Sequence, residues 1–250
     1  MEPYRRGWIN HLFYHFARWV CRMLVVVLFG YRFSGARNLP AQGGVLVLAN
    51  HQSFLDPILL GVPTLRRIHY LARVTLYRSW VFRILTAPLD VVPLDRKRHL
   101  LSGLREALRR LRQGEALGLF PEGQRTWDGS LMPLQPGFLL LARRSGVPLV
   151  PVGIAGAYEV WPRWRRWPSL GRIWVHYGGP IPPELVAQLS DQELLAEVAQ
   201  RIAQCFQEAQ RRRQGRGKPP ALPQPTRYVD PRPRSSAQAK RSSRKTSQVG

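Results

Sequence analysis

From residue 45 onward, short apolar runs alternate with amphipathic segments. The runs at 45–49, 68–72, 89–93, 116–120, 148–154 and 172–177 predict strands. Between them, Leu100, Leu101, Leu104, Leu108 and Leu111 recur at helical spacing and predict a helix over 99–112. Leu194, Leu195, Val198, Ile202, Cys205 and Phe206 predict another. It opens at Ser190-Asp191-Gln192-Glu193, where a hydroxyl and a carboxylate three residues on can satisfy each other's free main-chain N–H groups. Short strands interleaved with helices imply an α/β fold, a largely parallel mixed sheet flanked by helices.

The two ends of the chain read differently. Ile9, Leu12, Phe13, Phe16, Trp19, Val20, Met23 and Val27 predict a helix from Trp8 to Tyr31, apolar on every side from Met23 to Phe29. That run is well short of the ~20 residues needed to span a bilayer. With Trp, Phe and Arg at its flanks, the helix suits a position lying in the lipid interface. An ordinary core-packing helix is the other reading. After about Arg213 the pattern dissolves into Pro, Gln, Ser, Arg and Lys, too poor in apolar side chains to order itself. The expected organisation is an interfacial helical segment at 1–32, a folded domain at 33–210 and a disordered basic tail at 211–250.

Charge adds a constraint on partners. The net charge is +23, and residues 211–250 account for +11 of it, with twelve Lys or Arg against one Asp. The rest of the chain keeps +12, so the folded part should also seek an anionic partner: membrane phospholipid, an anionic substrate or nucleic acid. Cys21 and Cys205 both fall in apolar helical patterns, which suggests neither a disulfide framework nor a metal site and fits a reducing compartment. No small-residue cleavage site follows the first apolar stretch, so a secreted product is not expected.

Candidate chemistry sits at two strand ends. Asn50-His51-Gln52-Ser53-Phe54-Leu55-Asp56 follows the strand at 45–49, and Phe120-Pro121-Glu122-Gly123-Gln124-Arg125-Thr126 follows the strand at 116–120. Polar clusters at the carboxyl ends of buried strands are how open α/β enzymes build active sites. Imidazole is well poised to take a proton near neutral pH, and a carboxylate beside it can fix its tautomer and stabilise its cation. His51 and Asp56 can meet if the first lies in a loop and the second in the opening turn of a helix. Alternatively, Asp56 caps that helix ahead of Pro57, and His51 is a loop histidine.

No Gly-x-Ser-x-Gly accompanies the pair, and neither cysteine falls in a plausible site loop. A base without a protein nucleophile suggests activation of a substrate hydroxyl and direct transfer. In the second cluster, Arg125 offers a planar fork suited to phosphate, and Gly123 allows close backbone approach. Asp95-Arg96-Lys97-Arg98 is either a further phosphate site or a solvated basic turn.

With these residues in view, the chain resembles the 1-acylglycerol-3-phosphate (lysophospholipid) acyltransferase family. That family's Asn-His-x-Ser-x-x-Asp block is matched by Asn50, His51, Ser53 and Asp56. Its apolar-x-Arg block is matched by Leu94-Asp95-Arg96, and its Phe-Pro-Glu-Gly-Thr-Arg-Ser block by Phe120 to Thr126. Its Val-Pro-Ile-Val-Pro-Val strand is matched by Val147-Pro148-Leu149-Val150-Pro151-Val152. The likeness spans roughly residues 33–180. Departures from it are Gln124 and Thr126, Leu134-Gln135 in place of a common Phe-Lys, Arg73 in place of a usual Lys, and no glycine near Pro88-Leu89-Asp90.

The resemblance implies transfer of a fatty acyl group from acyl-CoA or acyl carrier protein to the free hydroxyl of a lyso-phospholipid acceptor, 1-acylglycerol-3-phosphate, giving phosphatidic acid. His51 would be general base and Asp56 its orienting partner. Arg96, Glu122 and Arg125 would belong to the acceptor site, with the two arginines on its phosphate, Glu122 touching the acceptor or holding Arg125, and Gly123 as backbone support. No cofactor or metal is implied. The enzyme would be monotopic on the cytoplasmic face of the cell membrane, in contact with its phospholipids. Trp161-Pro162-Arg163-Trp164-Arg165-Arg166-Trp167-Pro168, alternating a headgroup-level residue with a cation, would add to that contact unless its tryptophans merely cover the sheet edge. Other acceptors remain open: another lyso-lipid, or glycerol-3-phosphate. A basic nucleic-acid-binding protein is the alternative from a different class, although no specific nucleic acid is expected.

Overall fold

The computed structural model describes residues 19–20, 22–64, 66–73, 92–94 and 100–215, giving backbone alone for 71–73, 92–94 and 100. Seven strands form one sheet: β1 (Arg32–Ser34), β2 (Val45–Ala49), β3 (Ile68–Arg73), β4 (Val92–Leu94), β5 (Ala116–Leu119), β6 (Leu149–Ala155) and β7 (Trp174–Tyr177). Their spatial order is β1-β7-β6-β2-β5-β3-β4. All neighbours run parallel except β6 and β7. The expected α/β class with a largely parallel mixed sheet is therefore what forms.

β2 lies at the centre because both of its faces are apolar. Val45, Val47 and Ala49 join one core, and Leu46 and Leu48 join the other. The first core is covered by a helix at 22–29 (α1), by α2 (Asp56–Gly61) and by α5 (Ala157–Val160). The second is covered by α3 (Leu100–Arg112), α4 (Gly137–Ser145), α6 (Pro183–Gln188) and the first half of α7 (Asp191–Gln214). The predicted capping box opens α7, with Glu193 N–H donating to the Ser190 hydroxyl and Ser190 N–H to the Glu193 carboxylate. Gly153 of β6 lets this helix close on the sheet, since a Cβ there would fall 2.1 Å from the Phe206 main-chain nitrogen.

Crossovers on opposite faces create the crevice. From β2 the chain passes through α2 on one face toward β3, beyond β5. From β5 it passes through α4 on the other face back to β6, beyond β2. The carboxyl ends of β2 and β5 thus open between diverging connections, the place where open α/β sheets bind ligands.

Two departures from the sequence reading follow from element length. β1 escaped it, because three residues, two of them exposed, carry no alternation to read. α7 continues through Gln214, four residues into the stretch assigned to the tail, and its last turn carries Arg211, Arg212 and Arg213. These cations suit the negative end of a helix dipole. Of the predicted Trp8–Tyr31 helix, 19–20 and 22–29 are helical and 30–31 are not, and Cys21 and the residues before 19 lie outside the described residues. Among the described residues no helix is long and apolar enough to cross a membrane.

Candidate active site

β2 ends at Ala49, and the next four residues turn across the top of the sheet. Asn50 is buried and replaces a ladder pair: its amide donates to the Ile154 carbonyl at 3.0 Å and accepts from Ile154 N–H at 2.7 Å. Gln52 donates to the Gly129 carbonyl at 3.0 Å, and the Ser53 hydroxyl donates to the Trp161 carbonyl at 2.9 Å. Three of the four polar side chains in this turn are therefore consumed in holding it. His51 is the one that still faces outward, with its side chain 19% exposed.

Asp56 begins α2 but does not cap it. Leu55 occupies the cap position, without a side-chain cap. The Asp56 side chain instead turns back into the loop, where one oxygen, Oδ2, accepts from Gln52 N–H at 2.6 Å, Ser53 N–H at 2.8 Å and His51 Nδ1 at 2.7 Å. The reading of Asp56 as a simple cap fails for that reason. An ionised carboxylate can only accept, so the His51 proton sits on Nδ1 and the Nε2 lone pair is left for chemistry.

The short helix is held by tyrosines from three directions. Tyr31 donates to the Leu59 carbonyl at 2.6 Å, Tyr177 to the Leu60 carbonyl at 2.6 Å and Tyr70 to the Pro57 carbonyl at 2.7 Å. Burial pushes the Tyr31 and Tyr177 hydroxyls far up, so they stay protonated donors. A six-residue helix has little stability of its own, and these bonds hold the segment that starts with Asp56.

β5 delivers the second cluster. Phe120 stacks on the His51 ring, centroids 4.1 Å apart. Gly123 has φ +74° and donates to the Phe120 carbonyl at 3.0 Å, so the chain reverses in a turn that a side chain there would strain. Thr126 N–H then donates to the His51 carbonyl at 2.8 Å, joining the two clusters.

Glu122 is buried, and burial raises its carboxyl well above the usual range, with the main-chain N–H groups of His51 and Met132 opposing that shift. Its Oε2 has no hydrogen-bond partner. Among the described residues Glu122 makes no ion pair with Arg125, and the main-chain N–H groups that lower its pKa belong to His51 and Met132.

Arg125 lies over the Phe54 ring, its guanidinium carbon 3.4 Å from the ring centre, with Nη1 buried and without a partner. Burial first, and the nearby charge of Arg163 second, push its pKa down to about 10. Arg96 lies outside the described residues. The Cys205 thiol is buried against the Pro151 carbonyl and burial pushes it up to about 12, far from a nucleophile's range.

Comparison with known proteins bears on this arrangement. The family model described as Acyltransferase matches residues 30–155, which contain β1 to β6 and both clusters. A probable 1-acyl-sn-glycerol-3-phosphate acyltransferase of Mycoplasma pneumoniae is 32% identical over 186 residues, covering 68% of each chain. The chain belongs to the acyltransferase family.

Other relatives of this acyltransferase agree over more of its length. The 1-acyl-sn-glycerol-3-phosphate acyltransferase of Bacillus subtilis is 27% identical over 197 residues, covering 78% of this chain and 96% of that protein. The crystal structure of the 1-acyl-sn-glycerophosphate (LPA) acyltransferase of Thermotoga maritima superposes with a TM-score of 0.70 at 25% identity, covering 83% of this chain and 84% of that one.

Within the acyltransferase domain, His51, Asp56, Glu122, Gly123 and Arg125 converge at one end of the sheet. Sequence reasoning missed Phe120 as a ring support, the three tyrosines under α2, and the Glu122 contact with the His51 main chain. Only the first had a signal, its place next to Pro121-Glu122. The others depend on tertiary contacts between distant residues.

Proposed function

We propose that this acyltransferase moves a fatty acyl group from an acyl thioester, acyl-CoA or acyl carrier protein, to the free hydroxyl of 1-acylglycerol-3-phosphate, giving phosphatidic acid. The observation that carries the reading is the 2.7 Å contact of His51 Nδ1 with a buried Asp56 that two main-chain N–H groups also hold. His51 Nε2 takes the proton of the acceptor hydroxyl as that oxygen attacks the thioester carbonyl. The tetrahedral intermediate collapses with loss of the thiolate, which receives the same proton from His51. Asp56 stabilises the imidazolium between the two transfers. Arg125 receives the acceptor's phosphate, and its desolvated fork strengthens that contact. The names of the relatives support the acceptor and the reaction class.

The acceptor and product are amphiphiles, so the enzyme works at a membrane surface. In support, α1 leaves Met23, Leu24, Val26, Val27 and Leu28 exposed, and the loop after α5 exposes Trp164 and Trp167 beside arginines. A cytosolic supply of acyl thioesters supports a site on the cytoplasmic face.

The test is thiol release from acyl-CoA or acyl carrier protein with 1-acylglycerol-3-phosphate, run with wild type and His51→Ala in detergent. Acceptor-dependent release that the variant loses is the expected result. Equal release by both forms removes His51 as base. No release by wild type with either donor overturns the acceptor assignment.

A further inference from the structure

Arg163 belongs to neither motif, yet the fold builds it into the site. It lies in the loop after α5, with its guanidinium 3.5 Å from the centre of the Trp127 ring and Nη1 donating to the Arg125 carbonyl at 3.2 Å. Trp127 follows the second motif directly, and Arg125 itself rests on Phe54 of the first. Each guanidinium thus has its own aromatic platform, and one is bonded to the main chain of the other.

The loop that carries Arg163 is fixed on both sides. The Ser53 hydroxyl holds the Trp161 carbonyl at 2.9 Å, and the Phe54 and Trp161 rings meet at 5.6 Å. Trp164 meets Tyr158 edge-on at 5.2 Å, and Tyr158 donates to the Trp127 carbonyl at 3.0 Å. Arg163 is therefore placed with the precision of the motif loops themselves, which solvent-facing arginines do not need.

Burial and a neighbouring cation both disfavour the charged form of Arg125. Like charges repel more strongly where water is excluded, and Arg163 acts on Arg125 in that sense. The acid felt by Arg125 is Asp56, whose Oδ2 is already shared by three donors. Nothing described bonds Arg125 Nη1. A dianion with several acceptor oxygens would relieve both conditions, because two planar forks can each take part of it.

We propose that Arg163 is a further cation of the acceptor's phosphate site, a binding residue that grips the phosphate together with Arg125. This rests on the acyl-acceptor reading above. It makes the Trp/Arg loop a specificity element for a phosphate monoester, beyond any contact with lipid.

The test compares wild type, Arg163→Gln, Arg163→Lys and Arg166→Gln in neutral detergent micelles. Arg166 is on the same loop, 5.9 Å from the Trp167 ring centre, and serves as the control for surface charge. Arg163→Gln should raise KM for 1-acylglycerol-3-phosphate roughly tenfold or more, the size of a lost charge-assisted bond to phosphate. kcat should change little, KM for the donor should hold, and Arg163→Lys should recover part of the loss.

Equal KM effects from Arg163→Gln and Arg166→Gln, or a shift in donor KM instead, would overturn the proposal in favour of surface charge alone. Calorimetric titration of the wild type and Arg163→Lys with glycerol 3-phosphate separates this from the acceptor reading. Weaker binding by Arg163→Lys supports the clamp even if the wild type turns over a different lipid, whereas equal binding overturns it. Thermal melting identifies any variant whose KM reflects misfolding, and the Arg163→Lys comparison then decides.

Discussion

Phe120 lies flat against the imidazole of His51, ring centroids 4.1 Å apart and planes 15° from parallel. Tyr70 continues the stack at 6.4 Å and 9°, and it covers Gly118, where a Cβ would approach the Tyr70 ring to 2.5 Å. The imidazole is thus fixed by a ring on its face, by Asp56 at Nδ1 and by Thr126 at its own carbonyl. A histidine placed by three kinds of contact loses little freedom when it meets a substrate.

Phe120→Leu keeps an apolar side chain but removes the flat face. A stacked pair contributes about 0.5–1.5 kcal/mol beyond its area, so kcat should fall roughly three- to tenfold with acceptor KM nearly constant. Steady-state kinetics on the purified variant checks this. An unchanged kcat would mean that the ring only fills space.

Asp56 does two jobs that different substitutions separate. Asp56→Ala leaves the buried N–H groups of Gln52 and Ser53 unpaired, at about 1–3 kcal/mol each, so it should melt well below His51→Ala. Asp56→Asn keeps an acceptor oxygen for those donors but no longer imposes a single tautomer on the imidazole. It should fold and lose kcat on the order of 10³-fold. Equal melting of Asp56→Ala and His51→Ala would show that the loop does not depend on the carboxylate.

Glu122 makes stability depend on pH in a direction opposite to most carboxylates. Burial raises its folded pKa well above the unfolded value, chiefly by desolvation. Between the two values the folded state binds more protons than the unfolded state, so stability falls as pH rises through that interval. The contribution is complete below the unfolded Glu range and lost above the raised folded value. Glu122→Gln removes the titrating group, so wild type should lose stability relative to it as pH rises from about 4 toward neutrality. Melting curves across that range, with a constant difference between the two proteins, would refute the assignment.

What could be read from the chain alone depends on how local the cause is. β2 was legible to the residue because a strand buried on both faces leaves an unbroken apolar run. The antiparallel pairing of β7 with β6 was not, because alternation carries no strand direction. His51 and Asp56 could be paired in advance because the turn that joins them spans six residues in sequence. Glu122 was assigned to the acceptor or to Arg125, and the action of the His51 and Met132 main-chain N–H groups on it was not legible, because only the packed sheet brings them near. Arg163 looked like part of a lipid-facing motif, since nothing in Trp-Pro-Arg-Trp indicates which cation turns inward.

α1 provides the last test. It buries Val25 and Phe29, one turn apart, in the core, and leaves Val27 77% exposed among Met23, Leu24, Val26 and Leu28. An apolar patch of this kind on a soluble surface has a cost unless a partner covers it, and lipid is the partner that the proposed substrates supply. Val27→Glu changes none of the buried contacts, so the melting temperature should hold. Sedimentation with vesicles of anionic phospholipid should weaken several-fold, and turnover of 1-acylglycerol-3-phosphate presented in those vesicles should fall with it, while turnover in detergent micelles stays near the wild-type rate. Undiminished sedimentation would exclude this face of α1 as the membrane contact and leave the exposed Trp164 and Trp167 as the surface to mutate next.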